Sequence, residues 1–224
     1  MKYKNIISAT FIERPNRFIA YVEINGKKEI CHVKNTGKCK ELLIPGAKIY
    51  VQKSDNPQRK TKYDLIAVYK DKSLVNIDSQ APNKVVGEWL PHFFDNITLI
   101  KPESGYKSSR FDFYLEADGK KIFAEVKGVT LENDGIAMFP DAPTERGVKH
   151  LDELCRCVKD GFEAWVFFVI QMKGIKSFCP NRTTHPEFAD ALIRAQENGV
   201  NVCCVDCVVK KDELTIDSCI NYHL

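Results

Sequence analysis

Two hydrophobic periods run through this chain, and the change from one to the other divides it. Early on, apolar side chains recur at every second position: FIAYVEIN and KKEICHVKN flank Asn25-Gly26, and AKIYVQKS and KYDLIAVYK follow. Period two marks half-buried strands, and Asn-Gly between two such runs marks a tight hairpin turn. Between the second and third runs, Thr36-Gly37-Lys38-Cys39-Lys40-Glu41-Leu42-Leu43, closed by Pro45-Gly46, predicts a one- or two-turn helix or a tight loop. About five strands around one short element outline an OB-like barrel, a fold that commonly binds nucleic acid on one face, here over residues 1–80.

Near Asp78-Ser79-Gln80-Ala81-Pro82 the pattern changes. Val85, Val86, Trp89 and Leu90 then fall at helical spacing, with Glu88 near the edge of the apolar stripe. ITLIK follows as a strand, and SRFDFYLEA and KKIFAEVKG flank Asp118-Gly119 as a second hairpin. After the loop FPDAPTERG come the helix TERGVKHLDELCRCVKDG, ended by Gly161, the buried strand AWVFFVIQM, the helix HPEFADALIRAQENG, ended by Asn198-Gly199, and the strand VNVCCVDCVVK. The order is helix, three strands, helix, strand, helix, strand. A helix between the third and fourth strands requires a crossover, hence a mixed sheet with helices on its faces. The whole is α/β (α+β overall), with a second domain over residues 81–224.

A two-residue turn at Asp118-Gly119 fixes the hairpin register. Ala117 then pairs with Lys120, Leu115 with Ile122, Phe113 with Ala124 and Phe111 with Val126, so the core-side partners are apolar. On the other face Glu116 meets Lys121, Asp112 lies opposite Glu125, and Lys127 follows two residues on. Like charges held cross-strand destabilise a sheet unless compensated. A hard divalent cation, Mg or Mn, bound by Asp112 and Glu125 with the Val126 carbonyl as a candidate third oxygen, compensates them, and Lys127 then reaches the same water. The alternative is a surface hairpin in which the carboxylates share a proton or contact Lys127 and Arg110.

Composition adds bounds. The 224 residues, 44% hydrophobic and 28% charged, describe an ordinary globular chain with enough apolar side chains for a core. The expected location is cytoplasmic, without a membrane partner: no apolar run approaches a membrane span, and MKYKNIISATFIERPNRF lacks the apolar region of a signal peptide. Nine cysteines in such a chain predict reduced thiols. Cys203-Cys204-Val205-Asp206-Cys207 contains C-x2-C, but no second pair or His pair completes a zinc site, so buried strand cysteines are expected. Asn181-Arg182-Thr183 has a glycosylation pattern that a cytosolic chain does not use, and no phosphate-binding glycine loop supports nucleotide hydrolysis.

Charge is unevenly spread. Residues 1–80 hold 16 Lys and Arg against 8 Asp and Glu, a net of +8, and the rest of the chain holds 17 against 22, a net of −5. A basic half beside an acidic half suits a phosphate-binding module joined to a cation-binding one. Candidate phosphate contacts are Lys34, Lys38, Lys40, Arg59, Lys60 and Lys62 in the first half, each of which reads equally as a solvated surface residue. Arg110, Arg146 and Lys149 are candidates in the second. Glu145, Arg146 and His150 share one face of their helix, and Glu145 reads equally as a helix-start carboxylate.

Asp on the second strand and Glu-x-Lys on the third resemble the PD-(D/E)xK nuclease superfamily, although Phe111 stands where that motif has proline. Across nearly the whole chain, NTGKCKELLIPGAKIYV, NKVVGEWL, SRFDFYLEADGKKIFAEVKGVTL and FPDAPTERGVKHLDEL resemble the sugar fermentation stimulation protein A family. The resemblance implies an OB-like barrel followed by a restriction-endonuclease-like domain, non-sequence-specific DNA binding and a regulatory role in maltose metabolism. It also implies a metal site at Asp112 and Glu125, with Lys127 and the auxiliary acid Glu88 completing a catalytic set. Two readings follow: a DNA-binding protein retaining a nuclease-like metal site, and an active Mg- or Mn-dependent phosphodiesterase. The intact Asp112, Glu125 and Lys127 favour the second, and the family's role favours the first.

Overall fold

The computed structural model describes residues 1–35 and 37–224. Its first part is built from β1 (Ile6–Asn16), β2 (Ile19–Ile24), β3 (Lys27–Val33), β4 (Lys48–Lys53), β5 (Tyr63–Lys70) and β6 (Ser73–Asn76). Antiparallel pairs link β1 with β2, β2 with β3, β1 with β4 and β4 with β5. Parallel pairing of Cys31, His32 and Val33 with Tyr63, Asp64 and Leu65 closes the ring, so β1–β5 form the OB-like barrel and β6 flanks β5. Alternate residues fill it: Phe11, Ala20, Val22, Cys31, Val33, Ile49, Val51 and Leu65 are buried.

The segment expected as a short helix or tight loop is a loop; Thr36 of that segment lies outside the described residues. The amides of Leu42 and Leu43 both donate to the Cys39 carbonyl, at 3.2 and 2.9 Å, and Cys39, Leu42 and Leu43 are buried in the core that fills the barrel. β1 does not show in the hydrophobic pattern, because its register shifts between Phe11 and Glu13 and the bulge breaks the alternation.

The second part contains α1 (Ala81–Phe93), β7 (Ile97–Tyr106), β8 (Ser109–Ala117), β9 (Lys120–Val129), β10 (Leu131–Asn133), β11 (Ile136–Phe139), α2 (Glu145–Lys159), β12 (Glu163–Ile170), β13 (Ser177–Pro180), α3 (Pro186–Glu197), β14 (Asn201–Lys210) and β15 (Glu213–Cys219). Six strands form one mixed sheet in the order β15-β14-β12-β9-β8-β7, in which β9, β12 and β14 run parallel. α1 covers one face, burying Val85, Val86 and Leu90 with Phe113, Leu115, Ala124 and Val126. α2 and α3 cover the other, burying Leu151, Leu154, Phe188 and Leu192 with Phe111, Phe123 and Phe168. β10, β11 and β13 make a separate three-stranded sheet; strands of three or four residues are too short to show a period in the sequence.

A polar seam joins the two parts. The Asn76 amide donates to the Gln171 carbonyl at 2.9 Å, and Gln171 Nε2 donates to Asn76 Oδ1 at 2.9 Å and to the Asp78 carbonyl at 3.1 Å. The chain start crosses the division: Tyr3 N donates to the Asp212 carbonyl at 2.8 Å, so residues preceding the barrel lie against the second sheet. All nine cysteines are free. Among the described residues no helix is long and apolar enough to cross a membrane.

Candidate functional site

The β8–β9 hairpin forms with the expected register from Ala117–Lys120 to Phe113–Ala124, and there the regular pairing ends. Phe111 departs from expectation. Instead of lying behind Val126 beside Phe113, it packs against Phe123 and His150 on the α2 side, while Phe113 lies on the α1 side against Gly87. The backbone of β8 therefore turns over between Phe111 and Phe113, and Asp112 leaves the face that alternation assigns it. The Val126 amide, which a continued ladder spends on a β8 carbonyl, donates instead to Asp112 Oδ2 at 2.7 Å. Asn83 of α1 donates to Asp112 Oδ1 at 2.6 Å. A side-chain carboxylate thus takes the place of a backbone acceptor where the strands part.

Glu125 reaches this region from the α2 side. Its Oε1 accepts from Lys127 Nζ and from His150 Nδ1, both at 2.5 Å. Its Oε2 is buried and has no hydrogen-bond partner. Burial, then the Glu125 charge, hold the Asp112 carboxyl above its ordinary value. Burial pushes Glu125 up too, but the His150 hydrogen bond and Lys127 outweigh it and hold that carboxyl below its ordinary value. The two carboxylates are thus driven in opposite directions, Asp112 upward by burial and the Glu125 charge, and Glu125 downward by its contacts with His150 and Lys127.

No group of three His, Cys, Asp or Glu side chains within common reach of a metal occurs among the described residues. The protein donors on hand are therefore two carboxylates, and these fit a hard divalent cation, which takes one or two carboxylates and fills its shell with water and phosphate oxygens. The buried, unpartnered Oε2 of Glu125 is the specific observation behind that fit, since a buried charged oxygen without a partner costs free energy.

The remaining predicted residues separate into groups. Glu88 lines the cleft that also exposes Asn83, Arg110 and Asp112, yet its carboxylate pairs with the N-terminal ammonium at 2.7 Å, and the α1 residue that touches Asp112 is Asn83. Arg59 is not a free cation: it holds buried Asp64 with Nη1 and Nη2 of its guanidinium, at 2.8 and 2.6 Å. Lys34 sits between Asp64 and Asp78, at 3.6 and 3.4 Å. Arg110 pairs with Glu103 on the surface. Lys38, Lys40, Lys60, Lys62, Arg146 and Lys149 are exposed and make no salt bridge among the described residues. Arg146 Nε donates to His150 Nε2 at 3.3 Å. Glu145 is exposed, 3.5 Å from His185 Nε2.

Sequence spacing passed over Asn83 and left His150 without a partner. Asn83 reads as part of a helix start, and only the packing of α1 over β8 turns its amide toward Asp112. His150 lies on the expected helix face, but nothing in the spacing shows that this face meets Glu125.

An OB-like barrel joined to a restriction-endonuclease-like sheet, with the buried Glu125 and the half-buried Asp112 where two strands diverge, defines the class. Residues 12–77 match the SfsA N-terminal OB domain, and residues 80–213 match the sugar fermentation stimulation protein RE domain. The chain belongs to the sugar fermentation stimulation protein family. The homolog of Clostridium beijerinckii is 62% identical over 218 residues, covering 96% of each chain. That of Ruminiclostridium cellulolyticum is 60% identical over 226 residues, covering 100% of both. The solved structure of Pyrococcus furiosus SfsA in complex with Ca²⁺ superposes with a TM-score of 0.90 at 27% identity, covering 100% of this chain and 98% of that one.

Proposed function

We propose that this protein binds DNA without sequence specificity through a basic domain over residues 1–80 and holds a divalent cation, Mg or Mn, in a domain over residues 81–224. The observation that carries the reading is the set of exposed cations that make no salt bridge among the described residues, Lys38, Lys40, Lys60 and Lys62 on the barrel loops and Arg146 and Lys149 at the start of α2, in the same molecule as Glu125, whose buried Oε2 has no hydrogen-bond partner. Phosphate neutralisation by such side chains gives affinity without sequence information. The Ca²⁺ bound by the Pyrococcus relative supports a divalent site of this kind. The chain's cellular role, on this reading, is regulation of maltose metabolism in the cytoplasm, without a membrane partner.

A second reading, hydrolysis of DNA phosphodiesters, is favoured by Lys127. Its ammonium lies against Glu125, where it can orient an attacking water and stabilise charge developing on a phosphate. Asp112 and Glu125 would hold the cation, which supplies Lewis-acid stabilisation of that charge.

The test measures binding of unrelated duplex sequences over a range of salt. Replacing Lys38, Lys40, Lys60 and Lys62 by alanine is expected to weaken all sequences alike and to lower the slope of log K against log salt by about 0.9 for each phosphate contact removed. Binding that ignores these changes refutes the DNA reading. Cleavage in Mg²⁺ or Mn²⁺ that disappears in Lys127→Ala with affinity retained selects the hydrolytic reading.

A further inference from the structure

His150 is not a surface helix residue. Its side chain is 7% exposed, and it lies between Arg146 one helical turn earlier and Glu125 on β9. The two contacts together fix which ring nitrogen carries the proton. A guanidinium N–H can only donate, so the Nε2 atom that faces Arg146 Nε accepts. A neutral imidazole has one donor and one acceptor, so Nδ1 carries the hydrogen and donates to Glu125 Oε1.

Lys127 donates to that same oxygen. Glu125 is therefore held entirely through Oε1, and Oε2 is left buried and empty-handed. Two donors on one oxygen and none on the other fix the rotation of the carboxylate, a preorganisation that single-donor contact does not provide.

We propose that His150, its tautomer set by Arg146, is the positioning residue of the cation site: it pins Glu125 through Oε1 so that Oε2 is presented to the divalent ion. This rests on the cation reading above. His150 touches neither ion nor substrate and acts through Glu125 alone.

The experiment uses the full chain, with Mn²⁺ binding followed by calorimetry in the native protein, Asp112→Asn, His150→Phe and His150→Asn, each checked for a cooperative thermal transition. Phenylalanine keeps the ring but removes the donor, and affinity is expected to fall about 10- to 100-fold, the usual cost of losing such a support. Asparagine gives up the ring but puts an amide N–H near the former Nδ1 position, and is expected to recover most of the loss. If the ring served only to pack against Phe111, the order would reverse, with phenylalanine binding as the native protein does; that result overturns the proposal. A site weakened by Asp112→Asn but indifferent to His150→Phe overturns the proposal alone, whereas equal Mn²⁺ binding in native and Asp112→Asn protein removes the cation reading and the proposal with it. Nitrogen NMR of the metal-free imidazoles supplies an independent check: His150 is expected as a single Nδ1–H tautomer, and an Nε2–H tautomer overturns the assignment.

Discussion

Two buried carboxylates, Asp64 in the barrel and Glu125 in the second sheet, are solved in opposite ways. Asp64 Oδ1 meets Arg59 Nη2 at 2.6 Å and His32 Nδ1 at 3.2 Å, and Oδ2 meets Arg59 Nη1 at 2.8 Å and Lys34 Nζ at 3.6 Å. Both oxygens are occupied, and partners of opposite charge surround the group. Glu125 has two donors on one oxygen and none on the other, with the like charge of Asp112 close by. The first arrangement suits a group that holds a fold together; the second leaves Glu125 one oxygen without a hydrogen-bond partner, the oxygen that the proposed cation site uses. The difference also explains why Arg59 and Lys34, chosen from sequence as phosphate contacts, face inward to Asp64.

The largest effect expected from this contrast is at Arg59. Arg59→Met leaves Asp64 with its bidentate partner removed, and breaking a buried pair by deleting one member costs about 3–5 kcal/mol, measurable by urea unfolding. The effect depends on pH. Burial pushes Asp64 up, but Arg59 and Lys34 outweigh it and hold the carboxyl below its ordinary value. A depressed folded pKa contributes stability at neutral pH that is lost as pH falls through that value, so the stability gap between native and Arg59→Met protein should be widest near neutral pH and narrow as pH falls. Unchanged stability in this variant would break the comparison from the barrel side.

Asp112→Asn is expected to act oppositely. It removes a charge whose burial and whose neighbour Glu125 both disfavour it, so metal-free stability should not fall as it does in Arg59→Met. Its cost should appear only with metal. Mn²⁺ at a hundredfold excess over its dissociation constant stabilises a single-site protein by about 2.7 kcal/mol, and thermal unfolding should show that increment vanish in Asp112→Asn. An increment that survives places the ion elsewhere.

The smallest effect is expected at the surface. Arg110 and Glu103 are paired with side chains 64% and 63% exposed, and such pairs contribute no more than about 1 kcal/mol. Glu103→Gln should leave urea unfolding nearly unchanged while releasing Arg110 beside Asp112, so a loss comparable with that of Arg59→Met would show that exposure does not separate the two kinds of pair.

Much of this was legible in the sequence. The four period-two runs of the barrel, the helical stripe of α1 and the Asp118-Gly119 turn each carry a local signal, and each formed where it was expected. The elements that went unread have physical reasons: a bulge interrupts β1, β6 and the strands β10, β11 and β13 are too short for a period, and β15 returns as an antiparallel edge after β14. At the site, the turn put Asp112 and Glu125 on one hairpin, but it could not show that the regular pairing ends at Phe113–Ala124, where β8 turns over and Asp112 leaves the face that alternation assigns it.

By itself, then, the sequence determined what nearest neighbours along the chain can settle: which residues alternate, where glycine turns close hairpins, and that Asp112, Glu125 and Lys127 belong to one hairpin. Side-chain alternation and turn geometry are local constraints, and they survive folding. Only tertiary packing decided which charges are spent and which are free. It brought His32 and Lys34 to Asp64 across a barrel closed by β3 and β5, Asn83 to Asp112 across the α1–sheet interface, and His150 to Glu125 from a helix 25 residues away in sequence. A hydrogen bond acts over about 3 Å of space and is blind to separation along the chain, so a partner on another element leaves no periodic trace to read.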